Sequence, residues 1–258
     1  MANLSIHQFI CRSDNFGVLL HDAETGATAA IDAPDEAAIS AELARLGWHL
    51  TDILITHHHL DHVEGLPGLK ATYGARVVGP KAEAGKIGHI DIAVEEGDAI
   101  SFAGRAVEVL DVPGHTLGHI ALHLPEEKLA FVGDTLFALG CGRILEGAPR
   151  QMWTSLVKIA GLPGDTSVYC GHEYTLSNGR FALSVDGDNE ALIERMKEVE
   201  ALRAADKPTL PTTIAEEIAT NPFLRASAAA VKQRLGMASA AEVDVFARLR
   251  QMKNDFKG

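Results

Sequence analysis

Four of the twelve histidines lie in one hexapeptide, HHHLDH at residues 57–62. It follows DILIT at residues 52–56, a β-branched run that predicts a buried strand. A tight loop at a strand end can bring the imidazoles and the Asp61 carboxylate onto one or two cations, and zinc, iron and manganese accept such ligands. The alternative, a solvated loop or a helix start capped near Asp61, does not account for this density of histidine. With no cysteine at ligand spacing, the loop favours a catalytic over a structural metal site.

Three later segments place a polar residue just past a predicted strand, each directly after a glycine. They are His115 in VPGHTLGH, Asp134 in FVGDTLF and His172 in YCGHEY. A glycine lets the backbone turn sharply and lets the next side chain point off the sheet edge. Each residue alone is more typical of a turn than of a ligand. Together with residues 57–62 they form a set, and we expect them to converge.

The charge balance limits the partners. Lys and Arg number 23 against 35 Asp and Glu, which gives a formal net charge of -12. So acidic a chain repels phosphate backbones and anionic membrane surfaces, and we expect neither nucleic acid nor membrane as a partner. The three cysteines, Cys11, Cys141 and Cys170, form no C-x-x-C pair, which indicates a reducing compartment, by default the cytoplasm. The first twenty residues lack the pattern of a signal peptide.

The alternation of apolar runs and turn signals predicts an α/β fold followed by a helical region. The expected strands are 17–21, 28–31, 52–56, 75–78, 100–102, 106–111, 120–124, 129–133 and 167–170, with helices at 36–46 and 152–159. Because most links between strands are too short for crossover helices, we expect mixed or largely antiparallel sheets. After about residue 174 the chain is expected to be all helical, with helices at 189–205, 213–219, 226–235 and 241–256.

The segments THHHLDH, PGHTLGH, GDT and GHE occur in an order that resembles the metallo-β-lactamase superfamily over residues 4–173. The resemblance implies an αβ/βα sandwich of two mixed sheets with the metals at one edge. It also implies two cations with Asp134 as the bridging ligand. By position, one cation would be held by His57, His59 and His115, and the second by Asp61, His62 and His172.

Four further segments narrow the resemblance, over the full length, to the hydroxyacylglutathione hydrolase (glyoxalase II) family. They are GCGRILEG at 140–147, YCGHEYT at 169–175, TNPFLR at 220–225 and RLRQMKNDF at 248–256. The resemblance implies a dimetal catalytic domain at 1–173 and a helical glutathione-binding domain at 174–258. The residues that match the family's substrate contacts are Arg143, Tyr174, Arg250 and Lys253, and His172 is placed at the substrate as well.

The positive charge of the C-terminal segment is consistent with the binding of anionic glutathione. The last eleven residues carry four positive charges against one negative, and a spacing of three puts Arg250 and Lys253 on one helix face. The alternative is that these cations only complement the helix dipole. Relatives commonly differ at three positions: Leu145 and Met252 stand where an aromatic residue is common, and Gly179 stands where a larger side chain is usual.

The reaction implied by the resemblance is hydrolysis of S-2-hydroxyacylglutathione thioesters, the second step of methylglyoxal detoxification. S-D-lactoylglutathione would give D-lactate and glutathione. Two divalent cations, zinc first and iron or manganese otherwise, are expected to hold a bridging hydroxide, since metal coordination lowers the pKa of water to about 7. Asp61 and Asp134 are the expected catalytic carboxylates. The expected partner is the small-molecule thioester, and the expected state is a monomer.

Other functions share parts of this pattern. They are a single-iron sulfur dioxygenase acting on glutathione persulfide, a ribonuclease Z-like nuclease, a β-lactamase, and a non-catalytic module that binds glutathione conjugates. The full set of seven ligands and the helical tail favour the hydrolase. Three nearby residues are not expected to be ligands: His58 should point away from the cations, His119 should lie behind a ligand, and Cys141 should be a buried inert thiol.

Overall fold

The chain divides into two units, each with its own buried core, in a computed structural model that describes residues 4–257. The first unit comprises Met1–Asp111 and Thr116–Gly133, and the second comprises Val112–His115 and Asp134–Gly258. Residues 1–3 and 258 belong to the predicted domains 1–173 and 174–258 but lie outside the described residues. The boundary between those two domains stays a prediction.

The first unit contains ten strands and four α-helices among its described residues. The strands are β1 (Leu4–Ile10), β2 (Phe16–Asp22), β3 (Thr28–Ile31), β4 (Asp52–Leu54), β5 (Arg76–Pro80), β6 (Ile92–Val94), β7 (Ala99–Phe102), β8 (Arg105–Asp111), β9 (Ile120–Leu124) and β10 (Leu129–Phe131). The helices are α1 (Glu36–Leu46), α2 (Leu60–Val63), α3 (Leu66–Tyr73) and α4 (Ala84–Ile87), and a 3-10 turn precedes α4 at Lys81–Glu83.

Strands β1 to β6 form one sheet in sequence order. The strands β1, β2 and β3 pair antiparallel, whereas β3, β4, β5 and β6 run parallel. The expected mixed sheet is therefore confirmed. Strands β7 to β10 of the same unit pair antiparallel, each with its neighbour in sequence. Parallel pairing needs crossover connections. Helix α1 connects β3 to β4, α2 and α3 connect β4 to β5, and the 3-10 turn with α4 connects β5 to β6, whereas sequence analysis predicted only α1.

Helix α1 shows why the first unit folds as it does. Asp35 caps it by accepting a hydrogen bond from the N–H of Ala38, and Gly47 ends it in the left-handed conformation, with φ of 69°. Ile39 and Leu43 lie one turn apart and are both buried in the core of this unit. Each such side chain contributes roughly 1.5–3 kcal/mol of burial free energy, which fixes the helix on the sheet that ends in the histidine loop.

The second unit is mostly helical. Its strands are β11 (Leu136–Phe137), β12 (Gly140–Cys141), β13 (Ser167–Tyr169) and β14 (Thr212–Thr213). Its helices are α5 (Pro149–Ala160), α6 (Thr175–Asp186), α7 (Glu190–Ala204), α8 (Ile214–Thr220), α9 (Ala229–Arg234) and α10 (Glu242–Asp255). No described helix of the chain combines the length and the apolar composition needed to span a bilayer.

The prediction of an all-helical chain after residue 174 is wrong at β14. This two-residue strand pairs antiparallel with β13, with Val168 opposite Thr212. The pairing joins segments far apart in sequence, so no local periodicity reports it. Gly179 does not interrupt α6, and its hydrogen faces α7, where an added Cβ would lie 2.0 Å from the sulfur of Met196. The glycine therefore permits close packing of α6 on α7.

Candidate active site

Two residues separate the histidine loop from β4, which is shorter than the predicted strand 52–56. Its second half begins α2, so that Asp61 and His62 stand in the first turn of this short helix. His57 and His62 are buried, and their ring centroids are 4.1 Å apart. The ring of His59 lies 4.8 Å from that of His57 in an edge-on arrangement. The loop therefore brings the imidazoles of His57, His59 and His62 close together.

Asp32, which sequence analysis did not select, holds two of these histidines. It directly follows β3, has a positive φ of 57° and is buried. Its Oδ2 accepts hydrogen bonds from the hydroxyl of Thr56 at 2.9 Å and from Nδ1 of His62 at 2.8 Å. Because the Thr56 hydroxyl donates to Asp32, its oxygen can accept from Nδ1 of His57 at 3.0 Å. In both histidines Nε2 is then the nitrogen that can bind a cation.

Asp32 itself is better described as a positioning residue than as a ligand. Asp32, His57 and His62 have possible ligand atoms within 4.8 Å of one another. However, donors at about 2.1 Å from a tetrahedral cation lie about 3.4 Å apart. The 2.8 Å between Asp32 and His62 is the length of a direct hydrogen bond instead.

Glu83 is a second buried carboxylate that sequence analysis missed. One oxygen accepts hydrogen bonds from the N–H of His58 at 2.7 Å and from its Nδ1 at 2.8 Å. The other oxygen accepts from the N–H of Gly118 at 2.9 Å. Glu83 therefore ties the histidine loop to the segment that follows His115. Asn15 supports the same loop by donating to Oδ2 of Asp61 at 3.1 Å.

In the second unit, His115, Asp134 and His172 are all buried and close together. Oδ2 of Asp134 lies 3.4 Å from Nε2 of His115 and 3.4 Å from Nε2 of His172. His115 is oriented by its Nδ1, which donates to the carbonyl oxygen of Arg143 at 2.8 Å. Gly114 and Gly133, which precede two of the three residues, have positive φ values of 150° and 47°. The sharp turns expected at these glycines are present.

The geometry of these three residues fits a divalent cation. A separation of 3.4 Å is the distance between two donors that share a tetrahedral ion at about 2.1 Å. It is longer than a good N–H to O hydrogen bond, which falls at about 2.7–3.2 Å. Imidazole nitrogen and carboxylate oxygen together suit zinc, iron or manganese.

A cleft of about 490 Å³ opens beside these ligands within the second unit. Two of its lining residues are His115 and Asp134. The predicted glutathione contacts line it as well, namely Arg143, Tyr174, Arg250 and Lys253. The ring of Tyr174 stacks on that of His172 with centroids 4.8 Å apart and planes 3° apart. Sequence analysis missed the other polar lining residues, Ser177, Asn178 and Asn254.

Two cationic side chains of the cleft donate hydrogen bonds to backbone carbonyls. Nη1 of Arg250 donates to the carbonyl oxygen of Cys141 at 2.7 Å, and Nζ of Lys253 donates to that of Ser177 at 2.9 Å. Burial, followed by the charges of Arg250 and Arg143, lowers the pKa of Lys253 to about 8. Burial raises the pKa of the Cys141 thiol, as expected for an inert cysteine. The cleft is therefore locally positive in an acidic protein.

Comparisons with known proteins now identify the family. A family model described as the metallo-beta-lactamase superfamily matches residues 24–172, and one described as the hydroxyacylglutathione hydrolase C-terminus matches residues 173–256. A hydroxyacylglutathione hydrolase of Brucella anthropi is 57% identical over 98% of this chain and 97% of its own length. The chain belongs to the hydroxyacylglutathione hydrolase family.

Another member of this family, from Mesorhizobium japonicum, is 55% identical over 98% of this chain and 99% of its own length. Among solved structures, ETHE1 from Myxococcus xanthus has a TM-score of 0.69 at 25% identity, covering 96% of this chain and 90% of that one. The expected metallo-β-lactamase fold, with two mixed sheets and a C-terminal helical region, is confirmed. The expected class, a hydrolase of the glyoxalase II family, is confirmed as well.

Proposed function

We propose that this hydroxyacylglutathione hydrolase cleaves S-D-lactoylglutathione to D-lactate and glutathione, the second step of methylglyoxal detoxification. One observation carries the proposal. The cleft of the second unit is lined at once by His115 and Asp134, which fit a cation, and by the cationic side chains of Arg143, Arg250 and Lys253. Such a cleft suits a substrate whose thioester lies near the cation and whose carboxylates lie near the cationic side chains.

We further propose that seven residues hold two divalent cations, with zinc as the first choice of metal. Support comes from the donor types and from the 3.4 Å separations at Asp134, which would be the shared ligand. Divalent cations bound there would lower the pKa of water towards about 7 and polarise an acyl oxygen. The residues are His57, His59, Asp61, His62, His115, Asp134 and His172.

The side chains of this chain have separate tasks in the reaction. Arg250 and Lys253 would bind the carboxylates of glutathione, which carries two carboxylates and one ammonium, and exposed Arg143 would meet the same moiety at the rim. Tyr174, partly exposed and stacked on His172, would line the path of the thioester. No side chain is needed as an acid for the leaving group, because a thiol of pKa about 8.5 departs readily as thiolate.

The proposal extends to domains and compartment. The two family models meet at residues 172 and 173, which supports a catalytic domain at 1–173 and a glutathione-binding domain at 174–258. The cysteines Cys11, Cys141 and Cys170 are free thiols, and glutathione is abundant in the reducing cytoplasm. We therefore propose the cytoplasm as the compartment of the reaction, and the monomeric state stays a prediction.

The test is loss of thioester absorbance after addition of S-D-lactoylglutathione, with and without a chelator. We expect hydrolysis that stops on chelation and returns when zinc, iron or manganese is restored. Oxygen uptake with glutathione persulfide and no hydrolysis would support a sulfur dioxygenase instead. Binding of glutathione conjugates with no metal-dependent turnover would support a binding module.

A further inference from the structure

One wall of the cleft is a minimal hairpin, β11–β12, which contributes Phe137 and Cys141 to the lining. Its strands have two residues each, and Leu139 in the turn has a positive φ of 57°. So short a ribbon cannot hold its own shape in water. Its position must therefore be fixed by contacts from outside the hairpin.

Two buried side chains at the end of α8 supply those contacts. Nδ2 of Asn221 donates to the carbonyl oxygens of Phe137 at 3.2 Å and Gly140 at 2.9 Å. Oε2 of Glu217 accepts from the N–H of Leu139 at 3.0 Å. Backbone groups on both strands and in the turn of the hairpin are thus bound by this pair. Asn221 and Glu217 are fully buried, so water cannot replace them.

The pair is itself fixed in one orientation. Nδ2 of Asn221 also reaches Oε2 of Glu217 at 2.8 Å, while Oδ1 of Asn221 accepts from the N–H of Phe223 at 3.0 Å. Oε1 of Glu217 pairs with Nη2 of Arg195 at 2.5 Å. A buried amide whose donor and acceptor ends are both engaged has a single orientation. The hairpin therefore stands at a defined place relative to α8.

Two contacts of the Arg250 guanidinium, with the Cys141 carbonyl and with the Phe223 ring, are linked to Asn221. The Cys141 carbonyl that accepts from Arg250 follows Gly140, and Asn221 holds the carbonyl of Gly140. On its other side, Arg250 lies over the ring of Phe223 at 5.2 Å, and Asn221 holds the N–H of Phe223. Nε of Arg250 is buried without a hydrogen-bond partner in the structure, while the residue lines the cleft. An unsatisfied buried donor beside a cleft can bind an anionic group there.

We propose that Asn221 is a positioning residue for substrate binding, which sets the Arg250 guanidinium for a carboxylate of glutathione without contacting the substrate. The inference rests on the proposed function. It assigns Asn221, in the TNPFLR segment at residues 220–225, a role in substrate binding in addition to ending helix α8. Loss of Asn221 should weaken ground-state binding and leave the metal ligands in place.

The test is Asn221→Ala with steady-state kinetics on S-D-lactoylglutathione. Misalignment of a hydrogen bond to a charged group should raise KM about tenfold while kcat changes less than about twofold. In an Arg250→Ala background the same substitution should leave KM unchanged, because both act through one contact. An Asn221→Ala effect that persists without Arg250 would overturn the proposal.

A second readout does not depend on activity. Cys141 is a buried residue of the hairpin itself, so Asn221→Ala should speed its labelling by a thiol reagent, with Cys11 of the first unit as the internal reference. Unchanged labelling of Cys141 would also overturn the proposal. The control is Asp35→Ala, which removes the cap of α1 in the first unit and should lower the Tm without changing either KM or the labelling rate of Cys141.

Two further experiments cover a variant that does not fold and a wild-type protein that hydrolyses no thioester. If Asn221→Ala does not fold, Glu217→Gln probes the same hairpin contact with little change in shape, and the same pattern of KM and labelling is expected. If the wild-type protein hydrolyses no thioester, the proposed function fails by itself. Calorimetric titration of glutathione into the same variants then decides the inference, which fails if Asn221→Ala binds glutathione as tightly as the wild type.

Discussion

At the scale of single residues, the proposed metal ligands are positioned by buried carboxylates outside the proposed ligand set. Asp32 shows this most directly, because one of its oxygens meets Nδ1 of His62 and the hydroxyl of Thr56, which in turn meets His57. Partners in this position fix the tautomer and the orientation of a ligand histidine. The orientation of the proposed ligands His57 and His62 thus depends on Asp32.

Asp32→Asn tests this dependence. Asp32 accepts from the N–H of Thr56 at Oδ1 and from the Thr56 hydroxyl and His62 at Oδ2, whereas an amide has only one acceptor oxygen. We therefore expect metal affinity to fall by about 10–100-fold. Competition with a chelator, followed by metal analysis, measures the change. Asp35→Ala is the control, since Asp35 caps α1 nearby and its loss should cost about 0.5–2 kcal/mol of stability with unchanged metal affinity. Equal metal affinity in Asp32→Asn and wild type would remove the positioning role.

Lys253 gives the site a pH dependence. Burial and the neighbouring arginines lower its pKa to about 8, so the free enzyme loses this charge as the pH rises through that value. Because kcat/KM reports the free enzyme, it should fall above about pH 8 for an anionic substrate. Lys253→Arg should move the fall to higher pH, since arginine stays charged. A profile that is the same in both proteins would contradict the assignment.

The contribution of Lys253 to stability changes with pH in the opposite direction to its contribution to kcat/KM. Its folded pKa of about 8 lies below the ordinary value of 10.5, so the unfolded chain binds more protons between these two values. The contribution of this residue to the free energy of unfolding therefore rises with pH from about 8 to 10.5. It is least favourable below pH 8, where the partly buried amine is fully protonated.

At the scale of elements, strongly periodic or alternating segments were predicted well. Helix α1 spans the predicted residues 36–46 and β9 spans the predicted residues 120–124. Helix α9 begins three residues later than predicted, because the chain after Asn221 makes turns before it becomes helical. The short α2 and α3 were missed, since ligand residues and a Pro-Gly pair mask their apolar spacing. Strand β14 was missed because its pairing is nonlocal.

Gly142, directly after β12, packs so closely against Asp134 that a larger residue should disturb the site. A Cβ added there would lie 1.9 Å from the carbonyl oxygen of Asp134, which is backbone and cannot move aside cheaply. We expect Gly142→Ala to destabilise the protein by about 1–3 kcal/mol and to weaken metal binding through Asp134. Thermal unfolding and metal analysis measure both effects.

Gly164→Ala serves as the control in the same unit. A Cβ there would meet only the Ala215 methyl group at an ordinary 3.4 Å. Its Tm and metal content should match those of the wild type. If Gly142→Ala behaved in the same way as this control, the close approach to Asp134 would not matter for the site.

At the scale of the whole molecule, two electrostatic fields oppose each other. The chain carries a net charge of -12, which repels an anionic substrate, while Arg143, Arg250 and Lys253 attract it inside the cleft. We expect the local field to dominate, because charges lining a low-dielectric cleft act at short range and the bulk charge is screened.

Ionic strength separates the two fields. Raising salt from about 0.01 M to about 1 M shortens the Debye length from about 30 Å to about 3 Å. If the cleft dominates, kcat/KM should fall several-fold over this range, and the fall should be smaller in Lys253→Ala. An increase of kcat/KM with salt would mean that the bulk charge controls the encounter.

The sequence by itself determined the ligand residue types, their order along the chain and the family. It could do so because these depend on residue identity within short segments such as HHHLDH and GHE. Only the tertiary structure showed what aligns those residues. Asp32 reaches His62 across 30 positions, Glu83 reaches His58 across 25, and Asn221 reaches Gly140 across 81. Such contacts leave no periodic trace in one sequence, because a buried hydrogen bond depends on the position of a distant partner and not on its neighbours in the chain.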